Sequence, residues 1–268
     1  MSWIYRISQL SQSEKEGLFR ILIPPSIYHR FQIHPLSFCD AQGNRALRSF
    51  CPRGDRTCLI EVKVAGMEEP LFSTQLSDTT DFTQMNWDFL VVNDPASPRF
   101  LTHLDQEGRD TLFGWASRNL PEEERAMATG LFPGQTRKGL GLTGESIVCL
   151  EFLCRILDIK SIRLEALFYH NAITYERYGF GYFSGYPMMK RIHELFQPGG
   201  KLCERLDLCT PFRDRELAHT VRGRSWAIHD GILLEGEDDL LAEGWVSPVM
   251  YRMVGRPRSM ITFPDPVY

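Results

Sequence analysis

The sequence contains no apolar run near the roughly 20 residues that a membrane-crossing helix requires, and none of its seven cysteines forms a Cys-x-x-Cys pair. It also lacks an internal repeat, a low-complexity tract and a marked excess of one charge: 30 Lys and Arg stand against 34 Asp and Glu, a net charge of −4. Each absence removes a class. A helical membrane span is not expected, and neither is a disulfide framework, given an odd cysteine count. Cys39, Cys51 and Cys58 with His29 or His34 match no standard zinc spacing, so no metal is expected. The balanced charge argues against a dedicated nucleic-acid binder, which carries a dense basic surface. The opening Met1-Ser2-Trp3-Ile4-Tyr5-Arg6 lacks the basic, apolar, small-residue order of a signal peptide, so a reducing cytoplasm is the expected setting.

What is present is an ordinary globular composition: 268 residues, 43% apolar, 24% charged and 12% aromatic, enough for a sizeable core. Helical patterning is expected over 12–21 and 26–31, and the alternation of 58–64 predicts a half-buried strand. Segments 71–76 and 87–92 read as further strands, the second apolar enough to be central. A helix over 111–118 and another opening at Pro121-Glu122-Glu123-Glu124 are expected. Segment 126–132 reads as the continuation of that helix or as a strand, and a strand over 129–132 ending at Pro133 is preferred. Beyond it the pattern predicts a helix over 143–157, a strand over 162–166, a short helix over 171–178, a strand over 180–184, a helix over 188–196 and a strand over 202–208. A tail helix over 214–234, an acidic turn over 235–239 and an irregular end complete the chain. Together these imply a mixed α/β or α+β domain over 1–208, with an enlarged N-terminal part, an insert near 95–124 and a C-terminal extension over 209–268 packed on it.

Two stretches carry chemistry. Pro133-Gly134-Gln135-Thr136-Arg137-Lys138-Gly139-Leu140-Gly141-Leu142 is a basic glycine-rich loop that feeds the helix opening near Leu142 or Thr143. Gly139 and Gly141 let the backbone approach a bulky anion, the helix start offers free N–H groups, and Arg137 and Lys138 add charge. The phosphate-binding pattern Gly-x-x-x-x-Gly-Lys-Ser/Thr is absent. Gly139, Gly141 and Gly144 meet the spacing of the dinucleotide fingerprint, without its acidic residue at the end of the next strand. A basic turn that only starts a buried helix is the plainer alternative. The second stretch is Asn171-Ala172-Ile173-Thr174-Tyr175-Glu176-Arg177-Tyr178-Gly179-Phe180, a short helix stopped by glycine.

In this order, Thr136 to Gly141 resembles the pyrophosphate loop of the GNAT superfamily of N-acetyltransferases, Gln/Arg-x-x-Gly-x-Gly/Ala, with Thr136 departing at the first position. Tyr175-Glu176-Arg177-Tyr178-Gly179-Phe180 resembles that family's Tyr-Glu-x-x-Gly-Phe. The resemblance covers about residues 125–185. It implies a mostly antiparallel twisted sheet flanked by helices, with two strands that splay beside the loop to admit the acyl-pantetheine of acetyl-CoA or another acyl-CoA. It implies that Leu131 and Phe132 hold the pantetheine from the splayed strand, and that Thr136, Arg137, Lys138, Gly139, Leu140, Gly141, Leu142 and Thr143 cradle the pyrophosphate. Asn171 is a candidate for the pantetheine arm, and Tyr175 either protonates the leaving thiolate or packs in the helix.

The implied reaction is direct attack of a small-molecule or peptide amine on the thioester, and a homodimer is compatible with the resemblance. The base is open among Glu124, Asp105, Glu107, His103 and His170. Arg213, Arg215, Arg222 and Arg224 read as a solvated face or as a binder of acidic partners. Two other functions remain: an idle acyl-CoA-binding or interaction module, and an enzyme similar to acyl-homoserine-lactone synthases, with its insert before the loop.

Overall fold

The computed structural model describes residues 3–80, 84–114, 116–235 and 238–268. Trp115, inside the expected helix over 111–118, and Gly236 and Glu237, inside the expected acidic turn, lie outside the described residues, as do Met1 and Ser2. The chain opens with helices α1 (Trp3–Ser8), α2 (Gln12–Phe19) and α3 (Pro25–Arg30), followed by strands β1 (Leu47–Phe50), β2 (Thr57–Val62), β3 (Phe72–Asp78) and β4 (Met85–Val92). Helix α4 (Leu120–Ala128) precedes the glycine loop, which leads to α5 (Thr143–Ile156), β5 (Ser161–Glu165), α6 (Tyr169–Arg177) and β6 (Gly181–Tyr182). Helices α7 (Tyr186–Leu195), α8 (Lys201–Glu204) and α9 (Val221–His229) lead to β7 (Val249–Met253). This is an α+β chain.

The strands pair in the order β1-β2-β3-β4-β5-β7-β6, a seven-stranded, mostly antiparallel open sheet flanked by helices. β1 to β4 form an antiparallel meander, with Leu47 opposite Val62 and Val62 opposite Phe72. β4 and β5 run parallel and pair only at Met85–Ile162 and Asn86–Arg163. The chain divides into two compact units: residues 1–97, 139–164 and 251–257 form the first, and 98–138, 165–250 and 258–268 the second.

In the first unit, short α1 is held by one carboxylate. Asp78, the last residue of β3, accepts from the N–H groups of Trp3 at 2.8 Å, Ile4 at 3.0 Å and Tyr5 at 3.1 Å. Those are the donors that a helix start leaves without partners. Helix α2 begins with a capping box, in which Ser11 and Glu14 exchange hydrogen bonds. Of the residues at helical spacing over 143–157, helix α5 buries Ile147, Leu150, Leu153 and Cys154, while Leu157 lies at its C-terminal cap and is half-buried. The same helix buries Glu151, whose carboxylate accepts from Arg252 at 2.8 Å and from the Gly255 N–H at 3.1 Å.

The second unit has an aromatic core around Trp226, which is fully buried, stacks on Phe212 with centroids 5.2 Å apart and donates its indole N–H to the Leu131 carbonyl at 2.9 Å. Around it lies a chain of ion pairs. Arg118 joins Glu123 to Asp230, and Arg213 joins Asp230 to Glu235. Arg213 and Arg224 are therefore not the solvated face that one reading of the basic stretch expected. Arg224 is buried, donating to the Ala218 carbonyl at 2.6 Å with its guanidinium 3.9 Å from the centre of the Phe263 ring.

Three other expectations fail locally. Segment 129–132 is not a strand, because α4 continues to Ala128 and ends in a Schellman motif: Gly130 takes φ +89°, its N–H donates to Met127 and the Leu131 N–H donates to Ala126. Segment 202–208 is a helical turn and coil rather than a strand, opened by Gly200 and Lys201. The tail helix over 214–234 is interrupted, because Thr220 caps a fresh start and accepts from the Gly223 N–H. The structure also holds β7 where an irregular end was expected.

Gly130→Ala tests the Schellman ending. A Cβ there meets only the flexible end of Arg222 at 3.1 Å, so the cost is the backbone's. Placing alanine in the left-handed region should lower the unfolding free energy by about 1–2 kcal/mol in denaturant titration.

Candidate functional site

The first unit contains a gap in its sheet beside the glycine loop. β3 and β4 slip register at Gln75/Leu76, where Leu76 faces Trp87 and Gln75 faces Phe89, so Asp88 is the extra residue of a β-bulge. The bulge is braced by Thr74, whose hydroxyl donates to the Phe89 carbonyl at 3.1 Å and accepts from the Trp87 indole at 2.9 Å. On the other side of β4, pairing with β5 stops at Asn86–Arg163, where the Arg163 guanidinium also donates to the Asn86 side chain at 3.2 Å. From Asp88 to Val92 no β5 pairing is seen among the described residues.

The glycine loop returns to the far end of this stretch. Gly139 forms an isolated antiparallel bridge with Asn93, which is itself pinned by its N–H to Leu71 at 2.8 Å and its side chain to Pro70 at 2.9 Å. The approach is close, since a Cβ on Gly139 would lie 3.2 Å from the Val92 carbonyl oxygen. Gly141 turns the chain at φ +73°, with open space where a side chain would be. Helix α5 then starts at Thr143, with Leu142 at the cap position making no side-chain hydrogen bond. Gly139, Leu140, Gly141, Leu142 and Thr143 thus join a bare helix start to the end of a half-paired strand, a combination suited to anions.

The rest of the expected site lies in the second unit. Thr136 accepts at its carbonyl from the Phe100 N–H at 2.8 Å, while Arg137 is half-buried and Lys138 exposed. Leu131 is buried and Phe132 half-buried, neither in a strand. Their expected place on a splayed strand is corrected, because the α4 cap directs the Leu131 carbonyl to Trp226 and the Phe132 N–H to the Gln135 side chain at 2.9 Å. The parallel pair in the sheet is β4 and β5, with pairing at Met85–Ile162 and Asn86–Arg163.

The loop and the short-helix motif meet within this unit. The Phe132 ring stacks on His170 at 4.4 Å, and a Cβ on Gly134 would strike the Phe168 ring at 2.5 Å. His170 lies flat between Phe132 and Phe168, bonded through Nδ1 to the Ser225 hydroxyl at 2.9 Å. Burial, with the nearby His229, depresses its pKa to about 3, so it is a neutral packing group and no base.

Asn171 has a structural role at the start of the short helix. Its side-chain oxygen accepts from the Phe168 N–H at 3.2 Å and caps α6. Tyr175 packs on Phe180 at 5.3 Å, and burial pushes its pKa up to about 12. The Tyr-x-x-x-Gly-Phe spacing is a second Schellman motif, with Gly179 at φ +77° and the Phe180 N–H on the Tyr175 carbonyl at 3.0 Å. Glu176 is buried beneath it, accepting from Tyr182 and Thr262 hydroxyls at 2.5 and 2.6 Å. Burial holds this carboxyl above the usual carboxylate range despite those donors.

Among the candidate bases, Asp105 is committed to its own loop through Arg109 and Ser117. Sequence reading missed two groups. Asp88 sits on the bulge of β4, and crowding of its carboxyl raises its pKa even though Ser77, Gln75 and Arg163 pull it down. The alternation of Met85-Asn86-Trp87-Asp88-Phe89 runs unbroken through the bulge, so the sequence carries no signal of it. His229 stands 3.5 Å from Glu123 in the buried ionic chain, and no sequence spacing links those two.

Glu123 gives this chain a pH dependence. Burial would raise its pKa, but His229 and Arg118 outweigh that and hold it below the ordinary value. Its contribution to stability is therefore present above the unfolded carboxylate pKa and lost as pH falls through the folded one. Between about pH 6 and about pH 3, the unfolding free energy of Glu123→Gln should fall less steeply than that of the wild type in denaturant titrations. Comparison of the chain with family models, curated proteins and solved structures returns no match.

Proposed function

We propose that the protein is an acyl-CoA-dependent N-acyltransferase of the GNAT type, moving an acetyl or other acyl group from CoA to an amine. One observation carries the reading. The two parallel strands of an otherwise antiparallel sheet part after two residue pairs, and Gly139 bridges the end of the freed edge immediately before a helix start. A mostly antiparallel sheet with parted strands beside a basic glycine loop is what the sequence resemblance implies.

In this reading the backbone groups of β4 over 88–92 hold the amides of the pantetheine arm, and one of their N–H groups stabilises the developing oxyanion of the thioester. The N–H groups at Gly139 to Thr143 hold the pyrophosphate, with the charges of Arg137 and Lys138 adding to the attraction. An amine must lose a proton before it attacks. Asp88, on the bulge, is the proposed acceptor, since its carboxyl pKa is raised above the ordinary carboxylate range. The resemblance assigns Tyr175 the proton for the departing thiolate, and a phenol held at about 12 stays protonated at neutral pH.

The fit to the cofactor is tested by differential scanning fluorimetry. Acetyl-CoA at about one hundred times its dissociation constant should stabilise the fold by about 2.7 kcal/mol, read as a rise in Tm. Gly139→Val should abolish the rise, because the added side chain meets the Val92 carbonyl. Absence of any shift with all CoA esters would remove the proposal.

Catalysis is tested separately on an amine panel. Tyr175→Phe should lower kcat about a hundredfold or more, with acetyl-CoA binding unchanged. Stabilisation without turnover on any amine would identify a binding module, the idle reading of the same site.

A further inference from the structure

The second unit contains a cavity of about 300 Å3 that the acyl-transfer reading does not use. Its walls include Phe168, Tyr169, Trp245 and His229, and a leucine, Leu234, that is 64% exposed. The aromatic walls are fixed. Trp245 donates its indole N–H to the Leu167 carbonyl at 2.8 Å and meets Tyr169 edge-on at 6.2 Å, while Phe168 and His229 lie 5.8 Å apart. Gly114, at φ +88°, brings bare backbone against the imidazole, where a Cβ would come within 2.6 Å of its ring carbon. His229 and Gly114 also line a smaller cavity of about 140 Å3 that contains Asp110 and Glu123.

The charge around these two spaces is one-sided. Glu243 lines the larger, Asp110 and Glu123 the smaller, and no lysine or arginine lines either among the described residues. Glu123 is already paired with Arg118 and His229, so the carboxylate that bears on the larger space is Glu243, and rigid aromatic faces beside it favour a cation over an anion. A space of this size is at the small end of ligand sites, with room for one bicyclic ring and not for a nucleotide cofactor.

We propose that this cavity is a binding site for a small aromatic amine, its ring between Phe168, Tyr169 and Trp245 and its ammonium directed to Glu243. The inference stands independently of the acyl-CoA reading, since every lining residue belongs to the second unit and none was assigned to the cofactor.

The test uses the full chain and three ligands of one shape, measured by calorimetry and saturation-transfer NMR: tryptamine, neutral tryptophol and anionic indolepropionate. Tryptamine should bind with a dissociation constant below about 1 mM, and at least about tenfold more tightly than indolepropionate. Glu243→Gln alters an exposed side chain and should weaken tryptamine about two- to fivefold while leaving tryptophol unchanged. Ser247→Trp and Leu234→Trp place bulk in the cavity from its wall, and should remove tryptamine binding with cooperative thermal unfolding retained. Should Ser247→Trp fail to fold, the exposed Leu234 position carries that arm. Equal binding of indolepropionate, no tryptamine binding at about 1 mM, an unchanged amine preference in Glu243→Gln, or full binding in the folded tryptophan variants would each overturn the proposal.

Discussion

The first unit is organised around a strand that pairs along its length with one neighbour and, among the described residues, at only two positions with the other. Main-chain N–H and C=O groups are obligatory hydrogen-bonding groups, and leaving them without partners away from water is costly. β4 satisfies one edge along β3 and, on the other, pairs with β5 at only two residues. The bulge at Asp88 and the bridge at Asn93–Gly139 bracket the remainder. In the proposed function this stretch of polar backbone receives an extended, amide-bearing ligand. The free helix start that follows Gly141 extends the same principle from amides to anions.

The second unit solves the opposite problem, that of satisfying polar groups in a packed interior. Arg118, Glu123, Asp230, Arg213 and Glu235 alternate in sign, so each buried charge meets one of the other sign. Such pairs add little over an apolar core, yet breaking one leaves its partner buried and uncompensated. His170 follows the same economy as a neutral ring, with stacked faces and one nitrogen bonded to Ser225. Both cavities open beside this framework, at the position of His229.

Elements with strong local periodicity were legible in the sequence. Helix α5 was readable from Ile147, Leu150, Leu153 and Cys154, and β2 from its alternation, because each pattern reports a single buried face. The centrality of β4 followed from its nearly continuous apolar run. The segment 129–132 was misread because an apolar pair after a glycine suits a strand start and a Schellman ending equally, and only the preceding helix decides between them. Asp88 was invisible for a related reason: a bulge is a property of two strands in register, and one strand's sequence does not carry it. The ionic chain joins residues more than a hundred positions apart, as with Arg118 and Asp230, so no local pattern records it.

β7 is the partner that β5 receives last. The Lys160 carbonyl accepts from the Val254 N–H at 2.9 Å and the Ala166 N–H donates to Pro248 at 2.9 Å, so both ends of β5 are bound by chain made some eighty to ninety residues later. Pairings of such sequence separation close slowly, after the local helices and the meander have formed. Until synthesis has passed Met253, β5 remains an edge strand with unpaired backbone, the kind of surface that recruits strands from other molecules. During synthesis β5 therefore waits for the last strand of the chain before its second edge is covered.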